Sequence, residues 1–140
     1  MTKDVMLTIK GVQKYPSEEP VETVTEVNAE YFLRGNSRYV LFEEKQEGFT
    51  ESVKGMLKIK DNSVELTKKG LIQSHMVFEP DMLCMTEYRT PFGMMLLGVR
   101  TKSIRMLDAQ NRINIDIQYL LESEEQILAE SSIQITIREK

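Results

Sequence analysis

The residues best able to do chemistry in this chain of 140 residues are few, and their spacing favours no catalytic set. Nucleophilic catalysis needs a base beside the nucleophile, but the chain has one histidine, His75, and one cysteine, Cys84. Alternation of apolar and polar residues in LIQSHMVF points His75 to the polar side, as an ordinary surface histidine. Cys84 lies in the apolar stretch MLCMTEY without a basic neighbour in sequence, so it is interpreted as a buried small hydrophobe.

Carboxylates occur as three adjacent pairs, Glu18–Glu19, Glu43–Glu44 and Glu124–Glu125. All three stand in charged turns or at strand ends, where a solvated edge explains them better than acid–base catalysis does. One histidine and one cysteine make a closed zinc site implausible, and no GxGxxG or Walker-type loop is present to hold a phosphate. The sequence therefore predicts no catalytic residue, no metal and no cofactor.

Composition narrows the classes of partner and the compartment. A net charge of −4 with scattered Lys and Arg argues against nucleic-acid binding, which needs a basic surface. No apolar run is long enough to span a membrane or to form the core of a signal peptide. A lone cysteine gives no internal disulfide, so nothing indicates an oxidising compartment. We expect one globular domain over residues 1–140, in the cytoplasm.

Alternation with a period of two runs along the chain and predicts the elements that position these side chains. It is clearest at 113–121, where isoleucines alternate with polar residues, and at 127–138. Further strands fit the segments 5–9, 21–34, 37–46, 53–60, 63–69, 71–79, 82–90 and 95–107. Helical propensity, enough for one short turn, is found at 122–130. Long strands of this kind pack as two sheets or close into a barrel, and the short turns favour the barrel: an all-β fold, an antiparallel up-and-down meander β-barrel of about 8–10 strands.

The chain resembles the YwiB-like family, small bacterial proteins of unknown function with a lipocalin-like (calycin-type) β-barrel. The resemblance covers nearly the full length. It rests on VMLTIKG near the start, YRTPFGMMLLGVRT at the centre, and INIDIQYLL followed by SSIQITI near the end. It implies the lipocalin-like barrel and leaves the function open.

The inward faces of the strands supply the first functional hypothesis. If the more apolar face of each strand points inward, the polar groups of the lumen are uncharged hydroxyls, which suit a small, largely apolar or amphipathic neutral ligand. The lumen candidates are Tyr31, Met76, Thr86, Tyr88, Thr90, Thr101 and Tyr119. Other side chains expected inside are Thr23, Thr25, Ser74, Met82, Ser103 and Ser131. A lumen filled by its own side chains is the alternative.

The outward faces supply the second hypothesis, a homodimer or partner interface on the strands spanning 71–107. The same assignment leaves apolar side chains outward on neighbouring strands, and exposed apolar patches usually mark contact sites. The interface candidates are Val77, Leu83, Met85, Met94 and Leu96. The alternative is that the segment 122–130 or a terminus covers the patch. An enzyme ranks third, because it would need a luminal acidic residue, with Glu87 or Asp116 turned inward.

The stretch YRTPFGMM predicts the hairpin that sets these faces. For residues 84–88 and 97–101 to share the inward face, paired residue numbers must sum to an odd value. A four-residue loop, 91–94, meets this condition and gives Gly93 the left-handed position. A two-residue Phe92–Gly93 turn would force Phe92 to a positive φ, which a bulky residue resists. The loop is expected to place Tyr88, Thr90 and Thr101 near one barrel mouth.

Overall fold

The computed structural model describes residues 1–45, 47–124 and 126–140, and ten antiparallel strands make up most of them. The strands are β1 (Asp4–Lys14), β2 (Val21–Arg34), β3 (Ser37–Lys45), β4 (Ser52–Lys60), β5 (Ser63–Gly70), β6 (Ser74–Phe78), β7 (Leu83–Thr90), β8 (Gly93–Ala109), β9 (Arg112–Ser123) and β10 (Gln126–Glu139). No helix occurs in these ranges. The helical propensity of 122–130 gives no helical turn in the described residues, because β9 ends at Ser123 and β10 begins at Gln126; Glu125 lies outside the described residues.

The strands form one sheet that rolls into a nearly closed barrel. Its order is β6-β5-β4-β3-β2-β1-β10-β9-β8-β7, so chain neighbours pair throughout except at β6 and β7. The first and last strands pair over ten residue pairs, from Val5–Glu139 to Lys14–Glu130. The prediction of an antiparallel up-and-down meander barrel is confirmed.

The two edge strands, β6 and β7, meet at a seam with few hydrogen bonds. Among the described residues, Gln73 and Arg89 form the one isolated backbone bridge there, each N–H donating to the other's carbonyl at 2.9 Å. The backbone N–H of His75 adds a long hydrogen bond to Thr86 Oγ1, at 3.4 Å. The barrel is thus least tightly closed along this line.

Alternation decides which side chains fill the barrel, because successive residues of a strand point to opposite faces. On β9 the inward residues Ile113, Ile115 and Ile117 are at most 2% exposed, and on β4 Leu57 and Ile59 are fully buried. Full burial of one such side chain contributes about 1.5–3 kcal/mol to folding. The rest of this apolar core includes Val5, Leu7, Val40, Val64, Ile135 and Ile137.

A β-bulge in β8 reverses which of its residues face inward. Thr101 pairs with Tyr119, but the register then shifts, so that Ser103 pairs with Gln118 and Ile104 with Ile117. Two residues of β8 oppose one of β9 at the bulge, which turns Ser103 to the outer face. The expectation that Ser103 faces the lumen, which assumed uninterrupted alternation, is wrong.

The β7–β8 hairpin has a two-residue loop, Pro91–Phe92. The residue numbers of each pair across the hairpin sum to an odd value, as predicted. The inward faces of β7 and β8 therefore agree with the sequence assignment. The four-residue loop 91–94 is wrong, because Thr90 already pairs with Gly93. Gly93 adopts φ +137°, and no positive φ falls on Phe92. Thr90 Oγ1 accepts the Phe92 N–H at 3.1 Å and donates to the Gly93 carbonyl at 3.3 Å, which closes the turn.

The barrel has two unlike ends. The strands β1, β3, β5, β7 and β9 finish at one end, which we call the open end. The even-numbered strands finish at the other, the packed end, where the apolar core lies and where the first strand begins. The candidate site lies inside the open end.

Candidate ligand-binding cavity

The open end encloses a cavity of about 600 Å³ within the barrel. This volume lies in the range of small-molecule sites, roughly 300–1,000 Å³. Its apolar wall consists of Ile9, Val21, Leu66, Met76, Met95, Leu97, Leu121, Leu128 and Ile133. Its polar side chains are Gln13, Tyr15, Thr23, Thr25, Glu44, Lys68, Ser74, Tyr88 and Tyr119. The wall thus combines apolar and polar side chains in equal number, which suits an amphipathic ligand.

Small inward residues and one aromatic pair shape this space. Gly11 leaves room where a Cβ would stand 3.1 Å from Thr23 Oγ1. On the side of the cavity toward the packed end, the ring of Phe78 contacts the ring of Tyr119 edge-on, with ring centroids 5.2 Å apart. Tyr119 lines the cavity while Phe78 is 1% exposed, so the pair forms part of the cavity floor.

Two charged side chains enter the cavity, where only hydroxyls were expected. Glu44 continues the inward face of β3 after Val40 and Phe42, and Lys68 continues that of β5 after Leu66. Lys68 Nζ lies 3.6 Å from Glu44 Oε1. The expectation of an uncharged lumen is therefore wrong, and Glu44 is not a solvated strand-end carboxylate.

Glu44 is the most deeply placed of these charges. The residue is 8% exposed, and no donor among the described residues hydrogen-bonds its Oε1. Its separation from Lys68 Nζ exceeds the roughly 2.7–2.9 Å of a charge-assisted hydrogen bond. A buried carboxylate oxygen without a donor costs free energy. Glu44 therefore presents an unfilled acceptor inside the barrel.

Two tyrosines add hydroxyl donors to the cavity. Burial raises the pKa of Tyr88, and the nearby charge of Glu44 raises that pKa further. Burial also raises the pKa of Tyr119. Both phenols are therefore protonated at neutral pH, and each can donate a hydrogen bond. At the cavity rim, the hydroxyl of Tyr15 donates to Gln13 Oε1 at 2.9 Å.

The structure brings three of the seven lumen candidates to the cavity, namely Met76, Tyr88 and Tyr119. It places the other four elsewhere. Tyr31 is buried toward the packed end, and Thr101, at 1% exposure, lies in the closed part of the barrel. Thr86 is buried beside the seam, and Thr90 serves the β7–β8 turn. The expectation that Thr101 lies near the same mouth as Tyr88 is wrong.

The other side chains that were expected inside the barrel also fall into two groups, those that line the cavity and those that do not. Thr23, Thr25 and Ser74 line the cavity. Ser131 is buried opposite Tyr119. Met82 is 54% exposed and lies in the turn before β7, so its expected inward position is wrong.

Sequence reasoning missed Gln13, Tyr15, Glu44 and Lys68 as cavity residues. A signal for Glu44 was present, because the run Val40, Phe42, Glu44 keeps the period of two to the end of β3. The same period carries Lys68 inward on β5. Polarity at a strand end indicates solvation and the period of two indicates an inward position; in these two strands the period is correct.

The cavity wall does not include His75, Cys84, Glu87 or Asp116. His75 Nε2 is 3.0 Å from Glu65 Oε1 with the His75 side chain 56% exposed, which confirms its outward position. Cys84 is half-buried and not fully buried as expected. Glu87 is exposed beside Arg89, and Asp116 is half-buried on the outward face of β9, so neither of them turns inward.

Glu44 supplies the luminal acid that an enzymatic role required. A carboxylate can transfer protons, but the protonated tyrosines beside it are poor bases at neutral pH.

In the part of the chain that is described, no group of three or more His, Cys, Asp or Glu side chains could hold a metal ion. Nor does any helix there have the length and apolar character to cross a membrane.

The outer face of β7 and β8 carries the predicted interface residues. Leu83, Met85, Met94 and Leu96 are 41–55% exposed, and Val77 is half-buried across the seam. The alternative, a cover formed by 122–130, does not apply to the described part of that segment, which forms the end of β9 and the start of β10. We call the four exposed side chains the outer patch. Arg100 and Glu122, joined at 2.7 Å, and Arg89 and Glu87, joined at 3.0 Å, lie beside these side chains.

Comparisons with known proteins agree with this fold. A sequence profile described as a domain of unknown function, DUF1934, matches residues 7–135. The crystal structure of the ywiB protein from Bacillus subtilis is similar to the chain, with a TM-score of 0.84 and 19% sequence identity. The similarity covers 99% of this chain and 92% of that protein. Among curated proteins, no sequence matches.

Proposed function

The chain belongs to the DUF1934 family, a domain of unknown function, and we propose that it binds one small amphipathic molecule inside the open end of its barrel. The proposal is one of binding without catalysis, by a protein of the cytoplasm. A single cysteine in the sequence supports that compartment.

One observation carries the proposal: the cavity of about 600 Å³ has apolar side chains in its wall together with the charged pair Glu44 and Lys68 and the phenol of Tyr88. Leucine, isoleucine and methionine side chains would hold the apolar body of the ligand, and Met76 and Met95 would adapt to its shape. Glu44, Lys68 and Tyr88 would contact its polar end. Because Glu44 and Lys68 have opposite charges, a ligand without net charge needs no further counter-charge.

The test compares tryptophan substitutions at two adjacent positions of β6 that face opposite ways. Met76→Trp fills the cavity, whereas Val77→Trp adds the same side chain on the outer face. We expect Met76→Trp to weaken binding of an apolar fluorescent probe at least about tenfold, a change of about 1.4 kcal/mol. Val77→Trp should keep wild-type affinity. Equal probe binding by both variants, or binding by neither the wild type nor the variants, would refute the proposal.

A second candidate function is a homodimer through the outer patch. Four apolar side chains there are about half exposed, and two ion pairs beside them carry both signs of charge. Mixed charge around an apolar centre is self-complementary, which favours a second copy of the chain over a strongly charged partner.

This candidate is tested by light scattering after size exclusion. We expect a dimer from the wild type and a monomer from Leu83→Glu or Met85→Glu, each of which places a carboxylate in the contact. Both variants should keep wild-type probe binding, because the cavity lies on the other face of the sheet. A wild-type monomer at high protein concentration would contradict the candidate and leave the cavity proposal standing.

A further inference from the structure

We propose that Glu44 and Lys68 together select a neutral head group that both donates and accepts hydrogen bonds, such as the hydroxyl of a medium-chain alcohol or a primary amide. The inference rests on the proposed function and names the ligand class for the same cavity. Its starting point is Glu44, a buried residue of the cavity wall whose Oε1 has no hydrogen-bond donor among the described residues.

The acceptor side of the site is Glu44 Oε1. This oxygen is buried within a residue that is 8% exposed, and no described residue donates to it. An ionised carboxylate accepts several hydrogen bonds when its surroundings allow. A ligand hydroxyl or amide N–H placed in the cavity would supply a donor that the protein itself does not.

The donor side is Lys68 Nζ. The ammonium has three N–H donors, and its nitrogen lies 3.6 Å from Glu44 Oε1. A ligand oxygen that reached both atoms would donate to the carboxylate and accept from the ammonium. A hydroxyl group has this combination in a single atom, and a primary amide has it in two adjacent atoms.

Charge disfavours the two ionic alternatives. A ligand carboxylate that approaches Lys68 also approaches Glu44, and a ligand ammonium that approaches Glu44 also approaches Lys68. Each ionic head group would meet a like charge within a few ångströms in a partly buried site, where charges interact strongly. The opposite charges of the protein pair offset one another, so a neutral head group meets no net repulsion.

Tyr88 reinforces the same preference. It lines the cavity close enough to Glu44 for the carboxylate charge to help raise its pKa. The phenol is therefore neutral at physiological pH and can donate a hydrogen bond. A head group with an acceptor oxygen gains this second donor, and the phenol oxygen can also accept a ligand O–H or N–H.

The experiment measures displacement of the apolar fluorescent probe by four ligands with the same ten-carbon chain: decanol, decanamide, decanoate and decylamine. At neutral pH, we expect the wild-type protein to bind decanol and decanamide at least about tenfold more tightly than decanoate or decylamine. This ranking uses the unaltered protein, so it does not depend on whether any variant folds.

Two variants test which residue is responsible. Glu44→Gln leaves Lys68 as the charge in the cavity and should improve decanoate binding about tenfold relative to decanol. Lys68→Gln leaves Glu44 and should improve decylamine binding by a similar factor. The adjacent residues Glu43 and Lys69 are exposed and provide matched controls. Glu43→Gln and Lys69→Gln should keep the wild-type ranking.

The outcomes separate this inference from the proposed function. Equal affinity for all four ligands would overturn the head-group inference while leaving the cavity proposal intact. An ionic ligand that binds the wild type best would also overturn it. Failure of the probe and of all four ligands to bind would overturn the proposed function itself.

Discussion

The packed end and the open end of the barrel contain the same ten strands and the same alternation, yet their inward residues differ in kind. Strand β3 carries Val40 toward the packed end and Glu44 at the open end. Strand β5 likewise carries Val64 and then Lys68. Val40 and Val64 are fully buried, whereas Glu44 and Lys68 line a cavity of about 600 Å³.

This difference separates the part of the barrel that stabilises the fold from the part where we propose that a ligand binds. Each buried aliphatic side chain at the packed end contributes about 1.5–3 kcal/mol. At the open end, short, polar or charged residues leave space unfilled and one carboxylate oxygen without a donor. The fold gives up packing there, and binding sites are commonly found where polar groups converge on such a space.

Matched leucine truncations should give the largest contrast between the ends. Leu57 is fully buried at the packed end, so Leu57→Ala should lower the free energy of unfolding by about 2–5 kcal/mol. Leu128 is half-buried at the cavity wall, and Leu128→Ala should cost about 1 kcal/mol, since no closed void forms. Urea denaturation measures both values. Equal losses would remove the distinction between the ends.

Alanine substitutions at two inward glycines, Gly55 and Gly11, should differ less in their effect on the free energy of unfolding. A Cβ on Gly55 would stand 2.2 Å from the Phe42 ring, so Gly55→Ala should cost about 1–3 kcal/mol through overpacking. A Cβ on Gly11 would stand 3.1 Å from Thr23 Oγ1, a side chain exposed at the cavity rim that can rotate away. Gly11→Ala should therefore change stability by at most about 0.5 kcal/mol. Thermal or urea unfolding distinguishes the two, and a larger loss for Gly11→Ala would contradict the assignment.

Removing the tyrosine hydroxyls should have the smallest effect, a change in how the free energy of unfolding falls at alkaline pH. Burial raises the pKa of Tyr119 above its ordinary value of 10.0, so folding favours the neutral phenol. This contribution is complete below about pH 10 and is lost as pH rises through the folded-state pKa. Tyr119→Phe should flatten the fall in unfolding free energy above about pH 10. Tyr88→Phe should flatten it less, because Tyr88 is only half-buried. The reverse order in urea titrations at several pH values would contradict the deeper burial of Tyr119.

Much of the fold follows from the sequence because a half-buried strand must alternate. The strands predicted at 21–34 and 113–121 match β2 and the body of β9, and the odd-sum register of the β7–β8 hairpin is confirmed. The segment 122–130 misled, because its helical propensity is a local preference. Pairing between β9 and β10 supplies more hydrogen bonds and burial than one helical turn could.

The site was less predictable, because it depends on relations between strands. The bulge after Thr101 changes the inward face of β8, and no local pattern in that stretch marks it. The predicted length of the β7–β8 loop was also wrong. Gly93 can take its positive φ in the strand pair Thr90–Gly93 as well as within a loop. Glu44 could have been found by following the period of two to the strand end. Its 3.6 Å approach to Lys68 joins two strands and requires the folded barrel.

The most direct test of the central claim is a titration of the protein with decanol, followed in the methyl NMR spectrum. We predict chemical-shift changes for methyl groups at the cavity wall, which belong to Met76, Leu97, Leu121, Leu128 and Ile133. The methyl groups of Ile115, Ile135 and Ile137 at the packed end should not move. Shifts that are absent, or that fall on Leu83 and Met85 of the outer patch, would contradict binding in the open end.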